Sequence, residues 1–376
     1  MNLILEIILF LGIFLPIYHI INSLSSIKKE KVSRVKNDLP ITILIPCYNE
    51  ERILRDTIEG LLRMNYTNYQ CIFINDGSDD LTLKRLHKFL KLEKIYLPKY
   101  NYLKTKKIKK HYQSKRFKQI YVLDKENGGK SDALNAGINY SRYDHIVTLD
   151  ADSILEKDAL NIISKAFNDK NVVAASGVIQ ILQSFNLNNL HDKTTLKLNF
   201  LLRLQALEYM KACFCYKSSL SKLNSLLVIS GAFGIFKKDI LLKIGGFNHV
   251  VGEDLDLTIR IQFAILDTNE KIVYLPEAIC YTEGPETIGD FIKQRKRWQK
   301  SFVECLFSFK QKIFTNVFTR ALPFFIIIDT LLIGVLSSFI MIFFITLFLI
   351  SNLGDGAVNY ILIYLAVFTF VHLLYN

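Results

Sequence analysis

The sequence predicts an α/β domain built on a mostly parallel mixed sheet and flanked at both ends of the chain by membrane-spanning helices. Three observations carry this expectation. Between about residues 40 and 300, short β-rich runs alternate with stretches of helical period, the pattern of strands joined by crossover helices. Polar and acidic residues cluster just past those runs, where open α/β sheets bind their ligands. Hydrophobic residues make up half of the 376 positions and concentrate at the two ends, while the charged residues, 22%, lie mostly between them.

Each element follows in order. Leu3 to Ile21 is almost wholly apolar, with Glu6, Pro16 and His19 as exceptions. Roughly 20 such residues cross a bilayer core. No basic stretch precedes it and no small-residue cleavage site follows, so residues 1–22 are expected to stay as an anchor. A basic linker, residues 23–39, carries Lys28, Lys29, Lys31, Arg34 and Lys36, which places the next domain in the cytosol by the positive-inside rule. Ile41 to Pro46 reads as a buried strand ended by proline. Glu50 to about Met64 has Ile53, Leu54, Ile58, Leu61 and Leu62 at helical spacing. Tyr69 to Asn75 is a second strand, ending at Asp76-Gly77-Ser78.

The net charge is +12, and much of it lies between Lys84 and Lys118. That tract reads as a solvated, partly helical surface loop, with attraction to anionic lipid headgroups as its functional reading. No helix-turn-helix, zinc or RNA-binding motif accompanies it, so no nucleic-acid partner is expected. Gln119 to Leu123 is a third strand, Ser131 to Asn139 a helix, and His145 to Leu149 a fourth strand ending at Asp150. The domain is expected to run from residue 40 to 300, followed by an interfacial helical segment, 301–320, and C-terminal membrane helices, 321–376. Phe324 to Ile350 and Val358 to Leu374 are the two candidate spans, with Asp329 inside the first. An acid at that depth is functional by default, or lies near an interface. The six cysteines form no zinc-type CxxC pair and read as core or incidental thiols.

Several residues could do chemistry. Asp150 and Asp152 flank a small residue at a strand end and can face one hard divalent cation, or form an ordinary turn that caps the next helix. Asn127-Gly128-Gly129-Lys130 brings paired glycines next to a lysine, suited to phosphate or simply to a turn entering a helix. Asp76 can accept hydrogen bonds from a base or ribose, or serve the turn. Glu253, Asp254 and Asp256 open a helix-like run, where acids are stabilising in any case. A carboxylate there can also deprotonate a hydroxyl. Gln294-Arg295-Lys296-Arg297-Trp298 holds the only tryptophan. Its arginines suit a pyrophosphate and its indole a sugar ring, against a plain positive-inside signal and interfacial anchor.

In this order the motifs resemble family-2 glycosyltransferases of the GT-A fold, a nucleotide-sugar-binding architecture. The nearest resemblance is to the membrane-integrated synthases of cellulose, chitin, hyaluronan and poly-N-acetylglucosamine. It covers roughly Pro40 to Lys300 and the flanking apolar segments. The resemblance implies a metal-dependent, inverting hexosyltransferase. Pro46, Tyr48 and Glu50 of the PxYNE loop and Asp76 would hold the nucleotide. Lys130, Asp150 and Arg297 would complete the nucleotide-sugar site. Asp152 would ligate Mg²⁺ or Mn²⁺, and Asp254 would be the catalytic base. Gly231, Glu253, Gln294 and Trp298 would line the acceptor site. The implied partners are a UDP-sugar (GlcNAc or glucose), a glycan or lipid-linked acceptor and membrane lipids, with room for an accessory membrane subunit. The implied place is the plasma membrane, multi-pass, with the catalytic domain cytosolic.

Polysaccharide synthesis is the first expectation, and single-sugar transfer to a lipid or lipid-linked acceptor is the alternative. A non-catalytic scaffold is disfavoured by the intact carboxylates. The departures are Gly252 in place of the family's usual threonine, a long lysine-rich tract, a short C-terminal apolar block and no cyclic-dinucleotide RxxxR segment.

Overall fold

The computed structural model describes residues 2–24, 39–100, 102–184 and 199–336. The chain divides into two compact units. The larger comprises Glu30–Tyr209 and Val228–Cys305; the smaller comprises Met1–Lys29, Met210–Leu227 and Leu306–Asn376.

The larger unit is a ten-stranded sheet with helices. Its first half runs β1 (Ile41–Cys47), α2 (Leu54–Leu62), β2 (Tyr69–Asp76), α3 (Thr82–Leu90), β3 (Leu92–Lys94), β4 (Ile108–Ser114), β5 (Ile120–Lys125), α4 (Lys130–Tyr140) and β6 (His145–Leu149), after the N-terminal α1 (Asn2–Leu24). Its second half runs β7 (Ser153–Leu155), α5 (Ala159–Lys165), β8 (Val172–Ile181), α6 (Phe200–Lys211), β9 (Phe233–Lys237), α8 (Lys238–Lys243), α9 (Glu253–Ala264), β10 (Lys271–Thr282) and α10 (Ile288–Ser308). The short α7 (Ser218–Lys222) falls in the smaller unit. The strand order is β3-β4-β5-β2-β1-β6-β9-β8-β10-β7.

The four expected strands pair in parallel at the centre, β5-β2-β1-β6. Their apolar runs bury nearly every residue, as strands covered on both faces must. Ile43, Ile45, Phe73, Val122 and Val147 join one core. Among the described strands outside this centre only β8–β10 is parallel; the β3–β4, β4–β5, β6–β9, β8–β9 and β7–β10 pairings are antiparallel. The sheet is therefore evenly mixed rather than mostly parallel.

A second difference concerns the basic tract. It is not a partly helical loop throughout: after α3 it forms β3 and β4, which extend the sheet past β5. The strand signal is hidden because Lys109 and Lys110 are adjacent and both exposed, and the register shifts between Ile108 and Lys110. Such a bulge breaks the alternation that marks a strand. Residue 300, the expected domain end, falls inside a helix. Here α10 runs unbroken through it, so the Gln294–Trp298 motif and the start of the 301–320 segment share one helix.

In the smaller unit, the polar exceptions of two apolar runs meet. His19 is buried, with Nδ1 2.8 Å from Ser219 Oγ and Nε2 3.2 Å from Asp329 Oδ2. Asn22 Nδ2 donates to the same Ser219 hydroxyl at 2.9 Å. Mutual pairing is what buried polar groups in apolar surroundings require. Among the described residues, no helix is long and apolar enough to cross a membrane. Val358–Leu374, most of Phe324–Ile350 and the basic residues Lys28 to Lys36 lie outside the described residues. All six thiols are free, and all but Cys215 are buried.

Candidate active site

The site forms where the central strands end. β9 enters antiparallel beside β6, pairing Phe233 with Leu149, so Gly231 comes up beside Asp150. On the other side, Lys130 is the first residue of α4. Its Nζ lies 2.8 Å from Asp150 Oδ1 and 2.9 Å from Glu253 Oε1. A β-carbon on Gly231 would sit 2.9 Å from that ammonium, which is why the position is bare. Burial acts to discharge Lys130, but Asp150 and Glu253 more than offset it and hold its pKa above the ordinary value. Asp254 follows in the first turn of α9. Its Oδ2 accepts the Gly231 N–H at 3.2 Å and its Oδ1 the Leu255 N–H at 2.8 Å. Five residues from four separate segments thus make one constellation: Lys130, Asp150, Gly231, Glu253 and Asp254.

Asp76 shapes the turn that presents Lys130. It is 3% exposed and accepts the N–H of Gly128 at 3.0 Å and of Gly129 at 2.7 Å. It also pairs with the fully buried Lys125, which in turn meets Asp132 at 2.6 Å. Gly129 has φ +84°, a conformation that favours glycine. Both carboxylate oxygens of Asp76 are therefore engaged by the chain itself. The Tyr48–Glu50 loop is fastened to the turn after β2. Asn49, at φ +58°, donates its N–H to Ser78 Oγ at 3.1 Å and accepts the Asp79 N–H at 3.0 Å. Pro46 lies within β1 opposite Ile74, and Tyr48 is exposed.

A second group of acids faces this one. Asp152 Oδ1 accepts the hydroxyls of Ser153 at 3.2 Å and Thr282 at 3.3 Å. Burial and then the nearby Asp150 push its pKa up. Burial, followed by Asp152 and Asp150, lifts Glu50 to about 7. Glu283, just past the end of β10, is raised by burial and Asp152. Sequence reading missed Glu283. It obeys the strand-end rule that found the other acids but belongs to no recognised motif.

Carboxylates that oppose one another's ionisation, with oxygen-only donors, fit a hard divalent cation. Among the described residues, no three His, Cys, Asp or Glu side chains converge as a ready-made cage. Such a set suits an ion shared with ligand phosphates, as Mg²⁺ commonly is.

The Glu50 shift has a pH consequence. Folded Glu50 keeps its proton up to about pH 7, whereas the unfolded chain releases it near 4.5. The folded state binds more protons in that window, so stability falls as pH rises through it. In EDTA, the thermal midpoint should decline from pH 4.5 to 7, and Glu50→Gln should flatten that slope.

Among the described residues, no hydrogen bond or ion pair joins Gln294–Trp298 of α10 to the Lys130 constellation. Among the described residues, Gln294 Oε1 is buried without a hydrogen-bond partner and Arg297 is exposed with no ion pair; Trp298 is 39% exposed. The connection to the acids is steric. A β-carbon at Gly252, the N-cap of α9, would lie 1.6 Å from Ser301 Oγ and 2.5 Å from Ser301 Cβ. A side chain at 252 has no room because α10 packs directly against the start of α9. Gly252→Thr should cost about 1–3 kcal/mol by overpacking. Adding Ser301→Ala should recover part of the lost thermal midpoint, because it removes the Oγ at 1.6 Å and leaves the Cβ at 2.5 Å.

Residues 42–245 match the model described as glycosyl transferase family 2, and residues 145–373 match glycosyl transferase family group 2. The chain belongs to glycosyl transferase family 2. The transferase is 28% identical over 348 residues to the poly-beta-1,6-N-acetyl-D-glucosamine synthase of Staphylococcus aureus strain COL, covering 90% of this chain and 74% of that protein. It is 29% identical over 309 residues to the synthase of the same name from Staphylococcus epidermidis, covering 80% and 65%. Among solved structures it resembles the mannosyltransferase PcManGT from Pyrobaculum calidifontis, bound to GDP-Man and Mn²⁺, with a TM-score of 0.53 and 15% identity over 97% of this chain and 99% of that one. That likeness shows the α/β GT-A fold, and the family match makes the protein a hexosyltransferase-type enzyme.

Proposed function

We propose that this transferase moves a sugar from a UDP-sugar to the end of a growing polysaccharide at a membrane surface, with inversion at the anomeric carbon. The observation that carries this reading is the union of Asp254, Lys130, Glu253 and Asp150 around Gly231. It sets a carboxylate and an ammonium side by side, as the two ends of the reaction need. UDP-GlcNAc is the favoured donor because both relatives carry the name of GlcNAc polymer synthases.

Asp254 takes the proton of an acceptor hydroxyl. The oxygen then attacks the anomeric carbon, and the bond to the UDP oxygen breaks on the opposite face. Lys130 and the exposed Arg297 meet the charge that grows on the diphosphate, a type of stabilisation on the order of several kcal/mol. Asp152, with Asp150 and Glu50 near it, would hold a divalent cation that screens the diphosphate. Pro46 and Asp76, near the ends of β1 and β2, and Tyr48, in the loop after β1, would receive the uridine. Asp76 acts there by holding the glycine turn. Gln294 and Trp298, with Gly231 and Glu253, would line the acceptor side. The apolar runs at residues 1–22 and 321–376 and the basic residues Lys28 to Lys36 support anchoring in the plasma membrane with the catalytic unit cytosolic. A glycan chain and lipids are then the partners, and an accessory membrane subunit fits the same setting.

The test is incubation of membranes containing the protein with labelled UDP-GlcNAc or UDP-glucose and Mg²⁺ or Mn²⁺, reading product size. High-molecular-mass product from UDP-GlcNAc is expected. Single-sugar products, or no transfer from either donor, would overturn the reading.

A further inference from the structure

Trp298 does not stand alone on α10. Phe291, Arg295 and Trp298 are spaced four and three residues apart, which places them on one face of the helix. The Arg295 guanidinium carbon lies 4.6 Å from the Phe291 ring centre and 4.3 Å from that of Trp298. Both distances fall in the cation–π range. The same guanidinium grips Glu208 of α6 in a two-pronged ion pair, Nη1 to Oε1 at 2.5 Å and Nη2 to Oε2 at 2.6 Å. The next residue on α6, Tyr209, brings its ring to 6.4 Å from the indole at a 30° tilt. Arg295 is 22% exposed against 48% for Glu208, so the fork is half sheltered from solvent. A planar guanidinium fixed at both ends of its fork cannot rotate without breaking two charge-assisted hydrogen bonds.

We propose that Arg295 is a positioning residue that, locked by Glu208, holds the indole of Trp298 in place as a platform for the acceptor sugar. The resemblance gives Arg297 to the diphosphate and gives Arg295 no role. The structure separates them: Arg297 is exposed and free of ion pairs among the described residues, whereas Arg295 is committed to Glu208 and the two rings. The indole keeps part of its surface exposed while Arg295 covers one side, so the ring is both fixed and available. A fixed aromatic ring loses little freedom when a sugar stacks on it, which favours binding of the acceptor over a mobile ring.

The proposal rests on the reading of Trp298 as part of the acceptor site, and the experiment separates the two. Trp298 is the only tryptophan, so its fluorescence reports on this ring alone. The full chain is compared with Arg295→Met and with Glu208→Gln, the latter removing only one arm of a half-exposed pair. Iodide quenching and anisotropy read the ring; the apparent KM for a short GlcNAc oligosaccharide primer and for UDP-GlcNAc read the two substrates. Arg295→Met should make the indole more quenchable and raise the primer KM by about three- to tenfold, with the donor KM unmoved. Glu208→Gln should shift both in the same direction by less, and Arg295→Lys should fail to restore them because the ammonium lacks the planar fork. Unchanged fluorescence in both Arg295→Met and Glu208→Gln overturns the clamp. Altered fluorescence with an unchanged primer KM overturns the proposal through the reading of Trp298 instead.

Discussion

Asp254→Asn is expected to bind UDP nearly as the native enzyme does, yet to transfer sugar at least about a hundredfold more slowly, the usual order of effect for removing a general base. The substitution suits the question because the amide has almost the carboxylate's shape. Its oxygen can keep one of the two backbone N–H bonds that Asp254 accepts, from Gly231 or from Leu255. The start of α9, the Gly252–Ser301 contact and the Lys130–Glu253 pair should therefore survive. What is lost is the capacity to take a proton and the negative charge at the helix N-terminus. Turnover and UDP affinity are to be measured together in the same preparation. Native-like turnover would reject Asp254 as the base and turn attention to Glu253, which shares the constellation but is tied to Lys130.

Asp76→Ala is expected to lower the thermal midpoint by about 10 °C and to weaken UDP binding with it. Asp76 and Lys125 are both buried, and the substitution leaves the ammonium with Asp132 and the Glu126 carbonyl alone. It also strips the N–H groups of Gly128 and Gly129 of their acceptor. Breaking a buried pair by deleting one partner costs about 3–5 kcal/mol. For a unit of about 150–250 residues, each kcal/mol shifts the midpoint by about 2–4 °C. Adding Lys125→Met to Asp76→Ala should recover part of the stability, since the buried ammonium is gone, and only part, because Asp132 loses its cation and keeps the Lys106 N–H. It should not recover UDP affinity, because the glycine turn that aims Lys130 still lacks its carboxylate. A single variant with an unaltered midpoint would show that the Lys125–Asp76 pair does not hold the turn.

The two variants probe different kinds of legibility. Asp254 could be named from the chain because it stands in a motif whose order matches a family. Asp76 could also be located, at the end of a readable strand, but its engagement with Lys125 and the glycine turn could not. Whether a strand-end carboxylate faces a ligand or folds back on its own loop depends on Lys125, a buried lysine on the neighbouring strand. Nothing in a lysine's local sequence announces burial, since the charge is tolerated there only because Asp76 and Asp132 meet it.

What the chain alone determined was local. The apolar runs of β1, β2, β5 and β6 and the helical periods between them specify the parallel centre, because period and burial are properties of neighbouring residues. The acids Asp76, Asp150 and Asp152 follow, since strand ends are where such sheets bind. Tertiary structure decided whatever depends on residues distant in sequence. It placed β9 against β6 and so Gly231 beside Lys130 and Asp254. It turned the lysine-rich tract into edge strands, added Glu283 to the acids, set Ser301 against Gly252, and gave Arg295 rather than Arg297 to the ring of Trp298. Each of these is a contact between segments whose individual patterns are compatible with several partners. Only the packing of the whole sheet and its helices selects among them.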